Sequence, residues 1–126
     1  MPETIGGRTV TAIGDGAFDN CGNLTAITLP DSITSIGKDA FATCSGLVSI
    51  NLPDGISSIE AGTFSGCTDL TALTIPNGVT FIGDSAFAYC SSLTSLTIPE
   101  GVSAILPETF YGCSGLTNLV LPSSIT

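Results

Sequence analysis

The chain has no histidine and no tryptophan, and only two of its 126 residues are cationic, Arg8 and Lys38. Without histidine there is no imidazole for acid–base work near neutral pH and nothing to complete a zinc site begun by cysteines. Eleven carboxylates against two cations leave a formal net charge of −9. Such a chain repels phosphate backbones and anionic bilayers, which argues against nucleic-acid binding and membrane-surface docking. No apolar run approaches the roughly 18–20 residues of a bilayer span, so no membrane insertion is expected. Met1-Pro2-Glu3 lacks the basic start and apolar stretch of a secretory leader. Neither a C-x-x-C pair nor a G-x-S-x-G nucleophile motif occurs, and Ile13-Gly14-Asp15-Gly16-Ala17 has no third glycine at the dinucleotide-binding offset. Paired carboxylates for glycoside hydrolysis need a cleft and one raised pKa. Here the carboxylates fall in turns. The expectation is no enzyme and no cofactor or metal.

What the sequence has is a period. Cys21, Cys44, Cys67, Cys90 and Cys113 stand 23 residues apart, and so do Phe18, Phe41, Phe64, Phe87 and Phe110. Leu24, Leu47, Leu70, Leu93 and Leu116 keep the interval, as do Pro30, Pro53, Pro76, Pro99 and Pro122. Tandem periods of this length mean a solenoid. With 43% hydrophobic and 10% charged residues, the core is well supplied and solubility rests on Ser, Thr, Asn and Asp.

Within one repeat, Ala40, Phe41 and Cys44 sit at i, i+1 and i+4, which predicts a short helical turn burying Phe41 and Cys44. In Leu47-Val48-Ser49-Ile50-Asn51-Leu52, Ile50 and Leu52 alternate with Ser49 and Asn51, the period of a half-buried strand. Pro53 ends it, and Pro53-Asp54-Gly55 is a turn. Ile56 to Ile59 makes a second extended run. Stacked in phase, these pieces predict an α/β, right-handed rod: two narrow parallel β-sheets joined by short helical turns. One domain, 1–126, then holds about five 23-residue repeats. Between Pro2 and Val10 the first turn carries a five-residue insertion containing Gly6-Gly7. Both termini fall mid-repeat without a polar cap, so the chain is expected to be a fragment of a longer array.

Leu24-Thr25-Ala26-Ile27-Thr28-Leu29 and Leu93-Thr94-Ser95-Leu96-Thr97-Ile98 resemble the LxxLxL core of leucine-rich repeats. Ile82-Gly83-Asp84-Ser85-Ala86-Phe87-Ala88-Tyr89-Cys90, followed by Leu93, Leu96, Ile98, Pro99 and Val102, resembles the BspA-type (Treponema-type) repeat. Glu60 and Leu106 depart from the pattern in place of Gly, and Thr63 and Thr109 in place of Ala. The resemblance implies a leucine-rich-repeat solenoid from a bacterial or protozoan surface protein, hence secreted or cell-surface localisation and an adhesion-type role. It brings no catalytic residues with it.

Each candidate has a plain structural reading beside the functional one. The five cysteines cannot all pair, and three residues from the Phe column they suit small buried positions, so a reduced packing ladder is expected. The column Asp31, Asp54, Asn77, Glu100, Ser123 places two carboxylates near enough to share a cation, yet it lacks the six to eight oxygens calcium takes. A Thr lattice for ice is interrupted by Asn51 and Val120. The outward residues of the strand run (Thr28, Ser49, Asn51, Thr74, Ser95, Thr97 and Asn118) form a flat, neutral face that is either solvated surface or a platform for a protein or glycan partner. Aromatic anchors are scarce outside the core. Phe81, Tyr89 and Tyr111 leave their columns, and Phe81 is the candidate hot spot. The function expected is a non-enzymatic protein- or glycan-binding module. The competing reading is a spacer that self-associates end to end.

Overall fold

The computed structural model describes all residues 1–126, and the period appears in it as a stack of coils. Ahead of the stack, β1 (Thr4–Ile5) pairs antiparallel with β2 (Arg8–Thr9). Gly6 and Gly7 between them have φ of +58° and +78°, as a two-residue type I′ turn requires. The insertion is therefore an exposed hairpin.

Two ladders of short parallel strands follow the stack. One contains β3 (Ala12–Ile13), β5 (Ser35–Ile36), β7 (Ser58–Ile59) and β8 (Phe81–Ile82). The other contains β4 (Ala26–Ile27), β6 (Ser49–Ile50), β9 (Ser95–Thr97) and β10 (Asn118–Val120). Partners stand in one column: Ile13 opposite Ile36, Ile27 opposite Ile50, Ile59 opposite Ile82, Leu96 opposite Leu119. The sequence predicts two continuous sheets, and here it is corrected: the strands form separate pairs, and 72–75 belongs to none.

A second correction concerns the helical turns, which are absent. An α-helix returns each N–H to the carbonyl four residues back. In the Phe–Cys segment, alternate N–H groups donate instead to the next coil: Asp39 to Ala61 at 3.0 Å, Phe41 to Thr63 at 3.0 Å, Thr43 to Ser65 at 2.7 Å. Three such bonds, all between 2.6 and 3.2 Å, join the coils at each of four junctions. The residues between them close three-residue-back turns, Ala40 to Gly37, Ala42 to Asp39 and Cys44 to Phe41. Asp39 and Thr43 have φ of +53° and +52°, the sign a type II turn needs at its third position. The same two columns hold Gly16, Gly62, Ser85 and Glu108, and Asn20, Gly66, Tyr89 and Gly112, all with positive φ. Two left-handed residues per coil cannot continue a right-handed helix. They build a corner ladder instead.

Twenty-five buried residues form one core along the stack. The Phe column stacks face to face within 9° of parallel, with centroids 5.2, 5.7, 5.7 and 5.9 Å apart from Phe18 to Phe110. Beside it, the Sγ–H of Cys44, Cys67, Cys90 and Cys113 donates to the carbonyl of Phe18, Phe41, Phe64 and Phe87, respectively, at 3.0–3.2 Å. Each of these four thiols thus adds a second hydrogen bond to a Phe carbonyl that already accepts the N–H of the cysteine in its own coil. The departures from pattern are coupled as well. The buried Thr63 and Thr109 donate their hydroxyls to Glu60 and Leu106 carbonyls, both at 2.8 Å, in the two coils where Gly and Ala are replaced together.

Candidate binding face

The expected platform residues fall on one ladder. Thr28, Ser49, Asn51, Thr74, Ser95, Thr97 and Asn118 are all exposed, while Ile27, Ile50, Leu73, Leu96 and Leu119 between them turn inward. Asn51 is committed to the scaffold. Its Oδ1 accepts the Leu29 N–H at 2.9 Å and its Nδ2 donates to the Leu29 carbonyl at 3.1 Å, so the side-chain amide stands in for a peptide unit of the ladder. Phe81 is apart from these residues. It lies on β8 opposite Ser58 and is 45% exposed.

The two tyrosines that leave their columns come together. Tyr89 and Tyr111 are both exposed and meet edge to face, centroids 5.3 Å apart at 90°. Tyr89 holds φ at +60°, an outlier for a bulky residue, and its ring covers Gly112: a Cβ there would lie 2.7 Å from the ring. Their shared corner is legible in sequence as two departures 22 residues apart, although their contact is not.

A further feature escapes sequence reasoning altogether. Ala72, Leu73, Thr74 and Ile75 make no main-chain hydrogen bond within the protein, through N–H or C=O. The bonds that lead into the segment are long, Thr71 N–H to Val48 at 3.3 Å and Thr94 N–H to Thr71 at 3.5 Å. A cleft of about 350 Å³ opens between this segment and Ser95, Leu96 and Thr97, with Asn77 and Pro99 at its end. Another, of about 290 Å³, opens on the other side against Ile50, Asn51, Leu52 and Asp54. Nothing in the residue types marks the segment, since Ala72-Leu73-Thr74-Ile75 keeps the phase of its neighbours. Ring spacing does not set the gap either: β9 and β10 pair although their coils carry the widest ring separation, 5.9 Å.

Titration follows packing. Burial pushes the thiols of Cys44, Cys67, Cys90 and Cys113 up, Cys67 to about 12. For Cys67, repulsion from Cys44 in the neighbouring coil adds to burial, and a hydrogen bond from the Cys44 backbone opposes it. Thiols held protonated are poor nucleophiles and poor metal ligands.

Comparison with known proteins agrees with this architecture. The model of the BspA type leucine rich repeat region matches six copies over residues 11–126. A leucine rich cell surface protein of Faecalibacterium prausnitzii is 37% identical over 90% of this chain, with a TM-score of 0.86. The Treponema pallidum leucine rich repeat protein is 31% identical over 98%, TM-score 0.78, and a leucine-rich repeat protein of Eubacterium ventriosum 30% identical over 90%, TM-score 0.80. The chain spans 30% of the F. prausnitzii protein, 69% of the T. pallidum protein and 31% of the E. ventriosum protein. No curated protein matches it. By repeat pattern, coil geometry and family match, the chain belongs to the BspA-type leucine-rich repeat family.

Proposed function

We propose that the chain is a non-enzymatic, adhesion-type binding module of a secreted or cell-surface protein, which engages a protein or glycan partner through the exposed face of the β4–β6–β9–β10 ladder. The observation that carries this reading is the face itself: exposed Thr, Ser and Asn at Thr28, Ser49, Thr74, Ser95, Thr97 and Asn118, uncharged across five coils of a chain of net charge −9. A neutral strip on an acidic rod is where a partner meets least repulsion and least desolvation cost. Extended repeat surfaces serve as contact platforms of this kind. Family membership supports the non-enzymatic reading, and the cell-surface description of the F. prausnitzii relative supports the location.

The test is a panel of host extracellular-matrix proteins and glycans, probed at micromolar protein. A Ser49→Arg, Thr97→Arg variant should lose the binding, and Phe81→Ser, on the other ladder, should retain it. Silence of the wild-type chain across the whole panel would overturn the reading. Loss in the Phe81 variant alone would move the contact to the other ladder.

A further inference from the structure

The unpaired segment 72–75 lies in the middle of the proposed contact face, and the inference drawn from it rests on that reading of the face. Four consecutive residues leave four N–H and four C=O groups without a partner in the protein. In folded proteins groups that no backbone or side chain pairs are taken up by water, which a ligand with matching donors and acceptors can replace. Asn51 and Leu52 in the preceding coil likewise make no main-chain hydrogen bond, whereas other positions of the ladder are engaged. Asn51 holds both polar groups of Leu29, and Ile98 N–H reaches the Val120 carbonyl at 2.9 Å. The opening therefore takes in residues 51–52 as well as this segment, with a cleft on each side of 72–75.

The chemistry of the clefts selects their occupant. A peptide strand inserted between two parallel neighbours needs them roughly 9.6 Å apart, twice the strand spacing. The coils on either side are held close by the Phe41, Phe64 and Phe87 rings, each 5.7 Å from the next, and by the corner ladder. A strand does not fit without breaking that stack. Clefts of about 350 and 290 Å³ stand at the small end of ligand sites, room for a sugar unit rather than a folded epitope. The open main chain offers donors and acceptors in equal number, and hydroxyl groups satisfy both because each donates and accepts. The rim repeats that chemistry with Thr74, Asn77, Ser95 and Thr97. Its one charge is Asp54, and with Arg8 and Lys38 the only cations in the chain, carboxylated and sulfated sugars are repelled.

We propose that segment 72–75 and its two clefts bind a neutral oligosaccharide, whose hydroxyls take up the main-chain groups that the ladder leaves open.

The experiment places lactose, cellobiose and maltotriose, with sialyllactose and a heparin disaccharide as anionic counterparts, beside the matrix-protein panel. Binding is read by titration and by amide hydrogen exchange. A neutral sugar should bind and slow exchange at 72–75, and its sialylated or sulfated counterpart should bind about tenfold more weakly or not at all. Ala72→Phe, an exposed position that lines both clefts, should cost about tenfold or more in sugar affinity. Ser35→Phe, an exposed position on the other ladder and outside both clefts, should cost nothing, and thermal melts confirm that both variants fold. Binding of a matrix protein with no response to any neutral sugar would overturn this inference and leave the contact face standing. Silence to both would overturn face and inference together. Sugar binding that Ala72→Phe leaves unchanged, or that favours the anionic sugars, would place the site elsewhere and also refute it.

Discussion

Cys67 is a packing residue whose chemistry becomes visible only in alkaline solution. Its thiol keeps its proton to about 12, whereas in the unfolded chain it would lose it near the ordinary value of 9.0. Between those values the folded state binds more protons than the unfolded state, so stability is full below about pH 9 and falls as pH rises toward 12. The slope from this one group is about 1.4 kcal/mol per pH unit. Denaturant midpoints measured from pH 7 to 11 should therefore decline less steeply in Cys67→Ala than in the wild-type chain; parallel curves would show that burial of Cys67 is not the cause. The burial of Cys44, Cys67 and Cys90 was legible from their spacing between Phe and Leu, whereas Cys21 and Cys113, in the end coils, are half-buried. The left-handed corner was only half legible. Gly16, Gly62, Gly66, Gly112 and Asn20 are residues that tolerate positive φ, but Asp39, Thr43, Tyr89 and Glu108 share their columns and hide the signal.

At the scale of elements, the segment that reads as helix is the most regularly bonded ladder, and the segments that read as sheet are bonded in pairs. Both follow from the same side-chain columns. A period of two on the strand run and a Phe–Cys spacing of three decide which side chains face inward. They leave open whether an N–H turns back on its own coil or reaches the next. Close approach between coils makes the Gly column sensitive at Gly37 and Gly83, though not at Gly14, where an added Cβ would meet no other coil. A Cβ on Gly83 would collide with the Ala61 amide and stand 2.7 Å from its Cα, and backbone cannot step aside as a side chain tip does. Gly83→Ala should destabilise by about 1–3 kcal/mol, the usual range for overpacking. Chemical denaturation settles it, and a variant as stable as wild type would mean that the coils separate there at no cost. Glu60 and Leu106 occupy the same column in alternate coils, paired with Thr63 and Thr109, so the column takes either Gly with Ala or a larger residue with Thr.

For the molecule as a whole, stability is a sum over neighbouring coils, so the position of a residue along the stack matters as much as its type. Phe64 lies fully buried with a ring on each face, whereas Phe18 is half-buried and has one stacking partner. Phe64→Ala should cost about 3–5 kcal/mol and Phe18→Ala distinctly less, measured as shifts in the unfolding midpoint. Equal losses would mean that the rings act independently of the stack. The exposed face proposed for contact was legible as a surface to the same depth as the core, because the alternation that buries Ile50 and Leu96 also exposes Ser49 and Thr97. Asn51 was read correctly as outward yet not as a ladder element, and the open segment 72–75 had no sequence signal at all. The sequence alone determined the period, the family, the residues that face inward and the acid charge, since each is a property of side chains counted along a chain. Tertiary structure decided where the main-chain hydrogen bonds go: the corner ladder in place of helices, the paired strands in place of sheets, and the clefts beside Thr74. A side-chain pattern specifies which way a residue points, but whether an N–H finds a carbonyl depends on the distance to the next coil, which exists only once the coils are stacked.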